Sequence, residues 1–289
     1  VDDLLYVSHY PPADSKLPIQ AKQRQGGGLT ATALVAATRL GAATALATVL
    51  GDDELSIFTL QELEREGVDC SPIRRQAGAR PYYAVIIVDQ ASGQRTILYS
   101  AEGVTPYRPE DITENLVAQC RVLFVDNRAV AAALPAVALA RRLGIPVVAD
   151  IELELEPDTP ALMDQVDHLI VGIELAARVT GASQPEQMVR ALAGKRAGCV
   201  VTAGERGCWY AAQGGPVQHV PAFPVQAVDT TGCGDVFHGA YAACLARGES
   251  VPRTIQVAAA AAALKATQPG GRAGIPNRAT VERFLSHNE

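Results

Sequence analysis

Short apolar runs alternate with stretches of helical periodicity through the middle of the chain. Arg121–Asp126 (RVLFVD), Ile145–Asp150 (IPVVAD), Asp167–Val171 (DHLIV) and Cys199–Thr202 (CVVT) are Val-, Ile- and Leu-rich runs of strand length. Between them, Val130–Leu143, Leu175–Thr180 and Glu186–Lys195 carry helical patterns. Continuous apolar runs belong to strands buried on both faces, so the rhythm predicts a parallel sheet covered by helices on either side. Ligands of such sheets gather beyond the carboxyl ends of the strands. Asp126, Asp150 and Thr202 each close a run and should crowd that edge.

The front third has a different period. Pro81–Asp89 (PYYAVIIVD) and Gln94–Ser100 (QRTILYS) are β-rich runs joined by Gln90-Ala91-Ser92-Gly93, a hairpin pattern with Gly in the turn. Leu17–Gln25 predicts a further strand of the same small sheet. The expected organisation is one α/β domain over residues 1–289, with lid strands inserted from about 9–25 and 80–103.

Composition narrows the class. With 48% hydrophobic and 19% charged residues the 289-residue chain is globular and long enough to bury a core without disulfide or metal staples. A net charge of −6 gives no reason to bind nucleic acid or an anionic membrane. The six cysteines are scattered without a C-x-x-C pair, as in reduced cytoplasmic proteins. No apolar run reaches transmembrane length, and the Ala-rich stretch Val257–Leu264 predicts a packed helix.

The chemistry concentrates in Val228-Asp-Thr-Thr-Gly-Cys-Gly-Asp235, followed at once by an apolar helical pattern. Gly232 and Gly234 bracket one small residue, predicting a tight turn into a helix N-terminus. Unpaired backbone N–H groups of residues 232–235 and the helix dipole would favour an anion there. Asp235 lies in the first turn beside it, placed either to accept a hydroxyl proton during phosphoryl transfer or simply to cap the helix.

The pattern D-T-T-G-x-G-D resembles the C-terminal signature of the PfkB, or ribokinase-like, sugar kinases. That resemblance implies a ribokinase-like parallel-sheet sandwich with a small antiparallel β lid. It makes Asp235 the catalytic base, with Gly232, Cys233 and Gly234 forming the anion hole; Cys233 stands where Ala is more usual. It also puts Asp229 beside the place where some members hold a monovalent cation such as K⁺. Gly27-Gly28-Leu29-Thr30-Ala31-Thr32 with Arg39-Leu40-Gly41 is similar to the family's N-terminal pattern. There Gly27, Gly28 and Thr32 (where Asn is usual) would meet sugar hydroxyls, although Gly26–Gly28 taken alone is also a flexible loop ahead of a helix. Asp2 corresponds to the family's sugar-binding Asp, at the end of its first strand.

Val200–Gly207 resembles the strand and turn lining the family's ATP groove, which brings in Thr202, Gly204 and Gly207. Leu264–Ile275, with Gly270 and Gly271, stands in the place of the loop that packs on adenine. The usual N-x-x-E motif is absent. Glu174 is one residue out of register with its Glu, leaving it either a water-mediated Mg²⁺ ligand or an ordinary first-turn carboxylate.

Gln90–Tyr99 is similar to the lid of ketohexokinases, which implies a place near the phosphates for Arg95; a solvent-facing strand Arg is the alternative. The segments at Asp14-Ser15-Lys16 and Asp126-Asn127-Arg128 resemble bacterial sulfofructose kinases, so Lys16 and Arg128 are either partners for an anionic sugar or rim charges. The expectation is thus a cytoplasmic, ATP- and Mg²⁺-dependent kinase acting on a primary hydroxyl of a ketose or ketose derivative. It would dimerise through the β lid and bind neither nucleic acid nor membrane. A non-catalytic sugar or nucleotide sensor and a nucleoside kinase of the same fold are the alternatives. The low aromatic content, 5%, weighs against a nucleoside kinase. A dinucleotide-binding dehydrogenase lacks its early G-x-G-x-x-G.

Overall fold

A computed structural model describes residues 1–92, 94–152 and 156–288. The lid is a four-stranded sheet of order β2-β1-β5-β6, built from β1 (Asp2–Val7), β2 (Ala21–Gln25), β5 (Tyr83–Asp89) and β6 (Arg95–Ser100). A separate parallel ribbon pairs β3 (Val49–Leu50) with β4 (Arg74–Arg75). The main sheet has the order β12-β11-β10-β9-β8-β7. Its strands are β7 (Leu123–Asp126), β8 (Val147–Ile151), β9 (His168–Gly172), β10 (Gly198–Thr202), β11 (Cys208–Ala212) and β12 (Gln218–Val220). The first four pair in parallel and the last two turn back antiparallel.

Among the described residues the helices around these sheets are α1 (Leu29–Arg39), α2 (Glu54–Arg65), α3 (Glu114–Ala118), α4 (Val130–Arg142) and α5 (Thr159–Gln165), then α6 (Ile173–Thr180), α7 (Pro185–Ala193), α8 (Cys233–Ala246), α9 (Val251–Ala266) and α10 (Arg278–Ser286). The period of two in the strands explains the sandwich. Val148, Ile170 and Val200 pack with Val35, Phe237, Tyr241 and Ile255 of α1, α8 and α9. Their neighbours Ala149, Leu169, Val171 and Val201 pack against Val137, Leu175 and Val189 of α4, α6 and α7. The inner strands β8, β9 and β10 therefore see apolar cover on both faces, which is why their sequences are mostly apolar.

The lid departs from expectation in two details. Its outer pairings are antiparallel, but the central pair β1–β5 is parallel. Asp2 lies in β1 of this lid sheet, and Leu17–Gln20 precede β2 instead of extending it. Asp3 stitches the lid together: its buried carboxylate accepts from Arg24 Nε (2.8 Å) and Nη2 (3.0 Å) and from the Tyr83 hydroxyl (3.0 Å). The Arg24 bonds hold Asp3 down to about 2 despite its burial. Gly93 of the predicted hairpin turn lies outside the described residues.

Candidate active site

Gly232 caps α8 with φ of +75°, a left-handed angle that an L side chain rarely adopts, and a Cβ there would lie 2.8 Å from the Gly271 carbonyl oxygen. No side chain caps this helix. Among the described residues the N–H groups of Gly232, Gly234 and Asp235 have no hydrogen-bond acceptor, whereas that of Cys233 donates to the Thr230 carbonyl at 3.2 Å. Of residues 232–235, Cys233 therefore has its N–H engaged within the turn, and the other three N–H groups are free among the described residues. Gly234 is open, and a Cβ added there would meet nothing within 4 Å.

Asp235 is partly buried in the first turn of α8 and accepts no hydrogen bond among the described residues. A capping role would have produced one. Burial, followed by the like charges of Asp150 and Glu152, raises its pKa well above the usual carboxylate range, with Arg272 opposing. One turn along, His238 Nδ1 lies 2.8 Å from the Gly234 carbonyl oxygen, and its Nε2 lies 3.2 Å from the Ile170 carbonyl oxygen and 3.4 Å from Asp150 Oδ1. This imidazole fastens the start of α8 to the ends of β8 and β9.

Asp126 and Asp150 are register partners at the ends of β7 and β8, as the sequence suggested. Asp126 accepts from the Thr30 hydroxyl (2.6 Å) and the Arg128 N–H (2.9 Å). Asn127, buried beside it, has no partner for either side-chain polar atom among the described residues, and neither has Asp150 Oδ2. Buried polar atoms left unsatisfied by the protein mark a place for water or a polar ligand. No sequence signal singled out Asn127, because a buried and an exposed Asn look alike in sequence.

On the opposite wall Gly27 packs on Asp2: a Cβ there would lie 2.3 Å from Asp2 Oδ2. Burial raises the pKa of Asp2, while Arg272 opposes that rise. Gly28 precedes α1 with φ of +89°. The role expected of Thr32 needs correction. Its side chain is buried and its hydroxyl accepts from Arg272 Nε at 3.2 Å, so Thr32 meets a guanidinium and not open cleft. Arg272 also donates to the Gly27 carbonyl at 2.7 Å. It is 6% exposed and stands in the fields of both Asp2 and Asp235. Sequence reasoning missed it, although it follows Gly270-Gly271 directly.

Those two glycines are tied to the anion turn and to β2. The Gly270 N–H donates to Asp229 Oδ2 (2.8 Å) and the Gly271 N–H to Gln25 Oε1 (3.1 Å). Thr202 ends β10 in register with Gly172, and Glu174, exposed in the first turn of α6, turns its carboxylate back toward Gly172. Gly204 (φ +57°) and Gly207 (φ +80°) flank the next turn, and a Cβ on Gly207 would strike the Val220 carbonyl oxygen at 2.0 Å. From the lid, Arg95 Nη1 donates to the Thr230 hydroxyl at 3.4 Å and stands 4.0 Å from Asp229 Oδ1, so its guanidinium reaches the turn. Arg128 forms no ion pair among the described residues; its guanidinium lies over the Tyr82 ring, 5.4 Å from the centroid. Lys16 is exposed in the loop between β1 and β2. A shallow concavity elsewhere, lined by Leu60, Glu64, Cys70, Ile73 and Arg75 among others, shares no residue with this site.

Asp229, beside which the resemblance put a monovalent cation, is held by the fold at all three of its oxygens. Its carbonyl oxygen accepts from Lys265 Nζ at 2.8 Å, and its carboxylate accepts from the N–H groups of Thr231 and Gly270 at 2.8 Å each.

A parallel-sheet sandwich, an uncapped helix N-terminus and an adjacent free carboxylate together define a phosphotransferase with an alcohol acceptor. The chain belongs to the pfkB family of carbohydrate kinases, whose family model matches residues 3–278. It is 28% identical to ribokinase of Bacillus subtilis over 264 residues, 90% of this chain and 87% of that protein. It is 26% identical to the ATP-dependent ribose-1-phosphate kinase of Halopiger xanaduensis, covering 99% of this chain and 95% of that one. A solved structure of a candidate ribokinase from Agrobacterium tumefaciens superposes with a TM-score of 0.91 at 29% identity, covering 99% and 94% of the two chains. Ribokinase of Arabidopsis thaliana, solved with ribose and ATP, shares the fold with a TM-score of 0.83 at 22% identity, over 98% and 95%.

Proposed function

We propose that the protein is a cytoplasmic ATP-dependent kinase that transfers the γ-phosphoryl group to a primary hydroxyl of a ketose or ketose derivative. The observation that carries this reading is the free carboxylate of Asp235 beside three unpartnered N–H groups at the start of α8. As the sugar oxygen attacks phosphorus, its proton passes to Asp235, and the electron pair of the breaking P–O bond leaves with ADP. The N–H groups of Gly232, Gly234 and Asp235 receive the phosphoryl charge, and Arg95 adds a cation from the lid.

Thr202, Gly204 and Gly207 offer the close backbone approach a nucleotide needs, with Gly270 and Gly271 closing the turn from the other side. Mg²⁺ neutralises phosphate charge when bound. An ion of this kind is carried mainly by phosphates and water. Glu174 is the carboxylate that would meet that water shell.

Asp2, Gly27 and Gly28 line the sugar end, with Arg272 and its supporting Thr32 behind them. The unsatisfied atoms of Asn127 and Asp150 suit a ligand rich in hydroxyls. The names of the relatives favour a pentose, but exposed Lys16 and Arg128, which has no ion pair among the described residues, favour a sugar with an anionic tail. A panel of ribose, fructose and a sulfonated or phosphorylated ketose, assayed with wild type and Arg128→Ala, separates the two. An anionic ketose should give the highest kcat/KM and lose about 2–5 kcal/mol of it in the variant, with fructose nearly unaffected. Ribose preferred, with equal losses for every sugar, would mean a ribokinase in which Arg128 serves the fold.

The working form is a homodimer joined through the lid. β6 is an unpaired sheet edge exposing Ile97 (50%), Leu98 (56%) and Tyr99 (67%) in succession, so both of its faces want cover.

A further inference from the structure

Lys265 is fully buried, at 0% exposure, in the last turn of α9. Burying an ammonium costs several kcal/mol unless its surroundings return it, and an aliphatic side chain would fill the same space without that cost. Its surroundings are specific. The carbonyl pole of α9 favours a cation at that turn. The N–H groups of Val228 and Asp229 donate to the Ala266 carbonyl at 2.7 and 3.0 Å, buckling the chain that leads into the anion turn onto this helix end. Lys265 Nζ then takes the Asp229 carbonyl at 2.8 Å. The carboxylate of Asp229 is shared between Thr231 and Gly270, one inside the turn and one on the loop packed against it. The ammonium thus sits under the segment that presents Gly232, Gly234 and Asp235, near enough for its charge to be felt by the Cys233 thiol.

We propose that Lys265 is a built-in cation of the phosphoryl-transfer site: its ammonium holds the Asp229 carbonyl, fixes the turn in its anion-receiving shape and makes an external monovalent ion unnecessary. The inference rests on reading the turn at Gly232–Asp235 as the phosphate site. An ammonium and a potassium ion carry the same charge and are of similar size, but a tethered ammonium is neither diluted nor displaced by sodium. Lys265 acts through the turn and touches no substrate, so it is a positioning residue.

The test compares Mg²⁺–ADP affinity by calorimetry in KCl and in tetramethylammonium chloride of equal ionic strength, the second cation being too large for a buried carbonyl site. Wild type should bind ADP equally in both, within about twofold. Lys265→Ala should lose about tenfold or more in tetramethylammonium and recover most of it in KCl, while Lys265→Met, which fills the space without charge, should stay weak in both. Wild-type affinity rising about tenfold in KCl would overturn the proposal. So would a loss in Lys265→Ala that KCl does not reverse, since a merely structural lysine gives that result. If neither variant folds, the wild-type comparison still decides. Absence of ADP binding in any salt would instead refute the kinase reading; thallium-205 resonance then tests Lys265 alone, predicting no Tl⁺ site in wild type and one in Lys265→Ala.

Discussion

The carboxylate of Asp2 occupies the space a side chain on Gly27 would need, with Oδ2 only 2.3 Å from where the Cβ would stand. One extra methyl group must therefore displace the Asp2 carboxylate from its place against the start of α1. Gly27→Ala should cost about 1–3 kcal/mol of stability, the usual range for overpacking, and raise the sugar KM. Gly234→Ala makes the complementary case. Its Cβ would meet nothing in the fold, so the melting temperature should hold while kcat/KM falls, because the methyl group stands where the phosphoryl group approaches. Thermal unfolding and steady-state kinetics on the two variants check both statements.

Arg272 feels the charges of Asp2 and Asp235 and is almost wholly enclosed. Replacing it by Met leaves two mutually repelling carboxylates without their cation. Arg272→Met should lower kcat/KM by about 10²-fold or more, the scale of breaking a buried charge pair. Arg272→Lys should recover little of this, because a compact ammonium does not reproduce the spaced, planar donors with which the guanidinium reaches Thr32 and the Gly27 carbonyl. Activity retained in the Met variant would remove Arg272 from the site.

The frame is legible in the sequence because its signals are local. Each main strand is apolar at successive positions, and Gly232, Gly234 and Asp235 lie within four residues, so one stretch of chain carries both the turn and its base. The relations that sequence does not disclose are long-range. Arg272 bonds Thr32 and Gly27, residues more than two hundred positions away, and no spacing rule connects them. Lys265 looks like any basic residue in the last turn of a helix, and only burial separates it from a solvated one. Thr32 differs from expectation for the same reason, since its hydroxyl is claimed by a side chain from the far end of the chain. The apolar run of β5 lies inside the lid sheet, and the exposed apolar side chains fall on the edge strand β6.

Opposite pKa shifts give the stability a pH signature. Burial raises Asp150 to about 6, above the usual carboxylate range. The folded state then binds the proton more tightly than the unfolded one. This contribution is complete below the ordinary aspartate pKa of about 4 and is lost as pH rises through 6. Asp150→Asn should accordingly raise the melting temperature at pH 8 and change it little at pH 4, a difference on the order of 2 kcal/mol. Asp3 runs the other way. Held near 2 by Arg24, it stabilises the fold above its unfolded pKa and loses that contribution as pH falls toward 2. Asp3→Asn should destabilise at pH 8 and have a shrinking effect in acid. Melting curves of both variants across this range test the signs.

The lid edge predicts self-association. Tyr99→Glu places a charge on an exposed apolar strand edge and should leave the monomer folded while weakening the dimer, as followed by light scattering at micromolar protein. A wild-type monomer at that concentration would contradict the proposed dimer.

The central claim is that Asp235 takes the proton of the sugar hydroxyl, and Asp235→Asn tests it most directly. The amide keeps the shape of the carboxylate and cannot accept that proton. Single-turnover phosphorylation of the preferred sugar should slow by about 10²–10⁴-fold, with ATP affinity nearly unchanged. Because burial and neighbouring carboxylates raise the pKa of Asp235, the variant should also melt at least as high as wild type at pH 8. A folded Asp235→Asn enzyme that transfers phosphate at close to the wild-type rate would contradict the account.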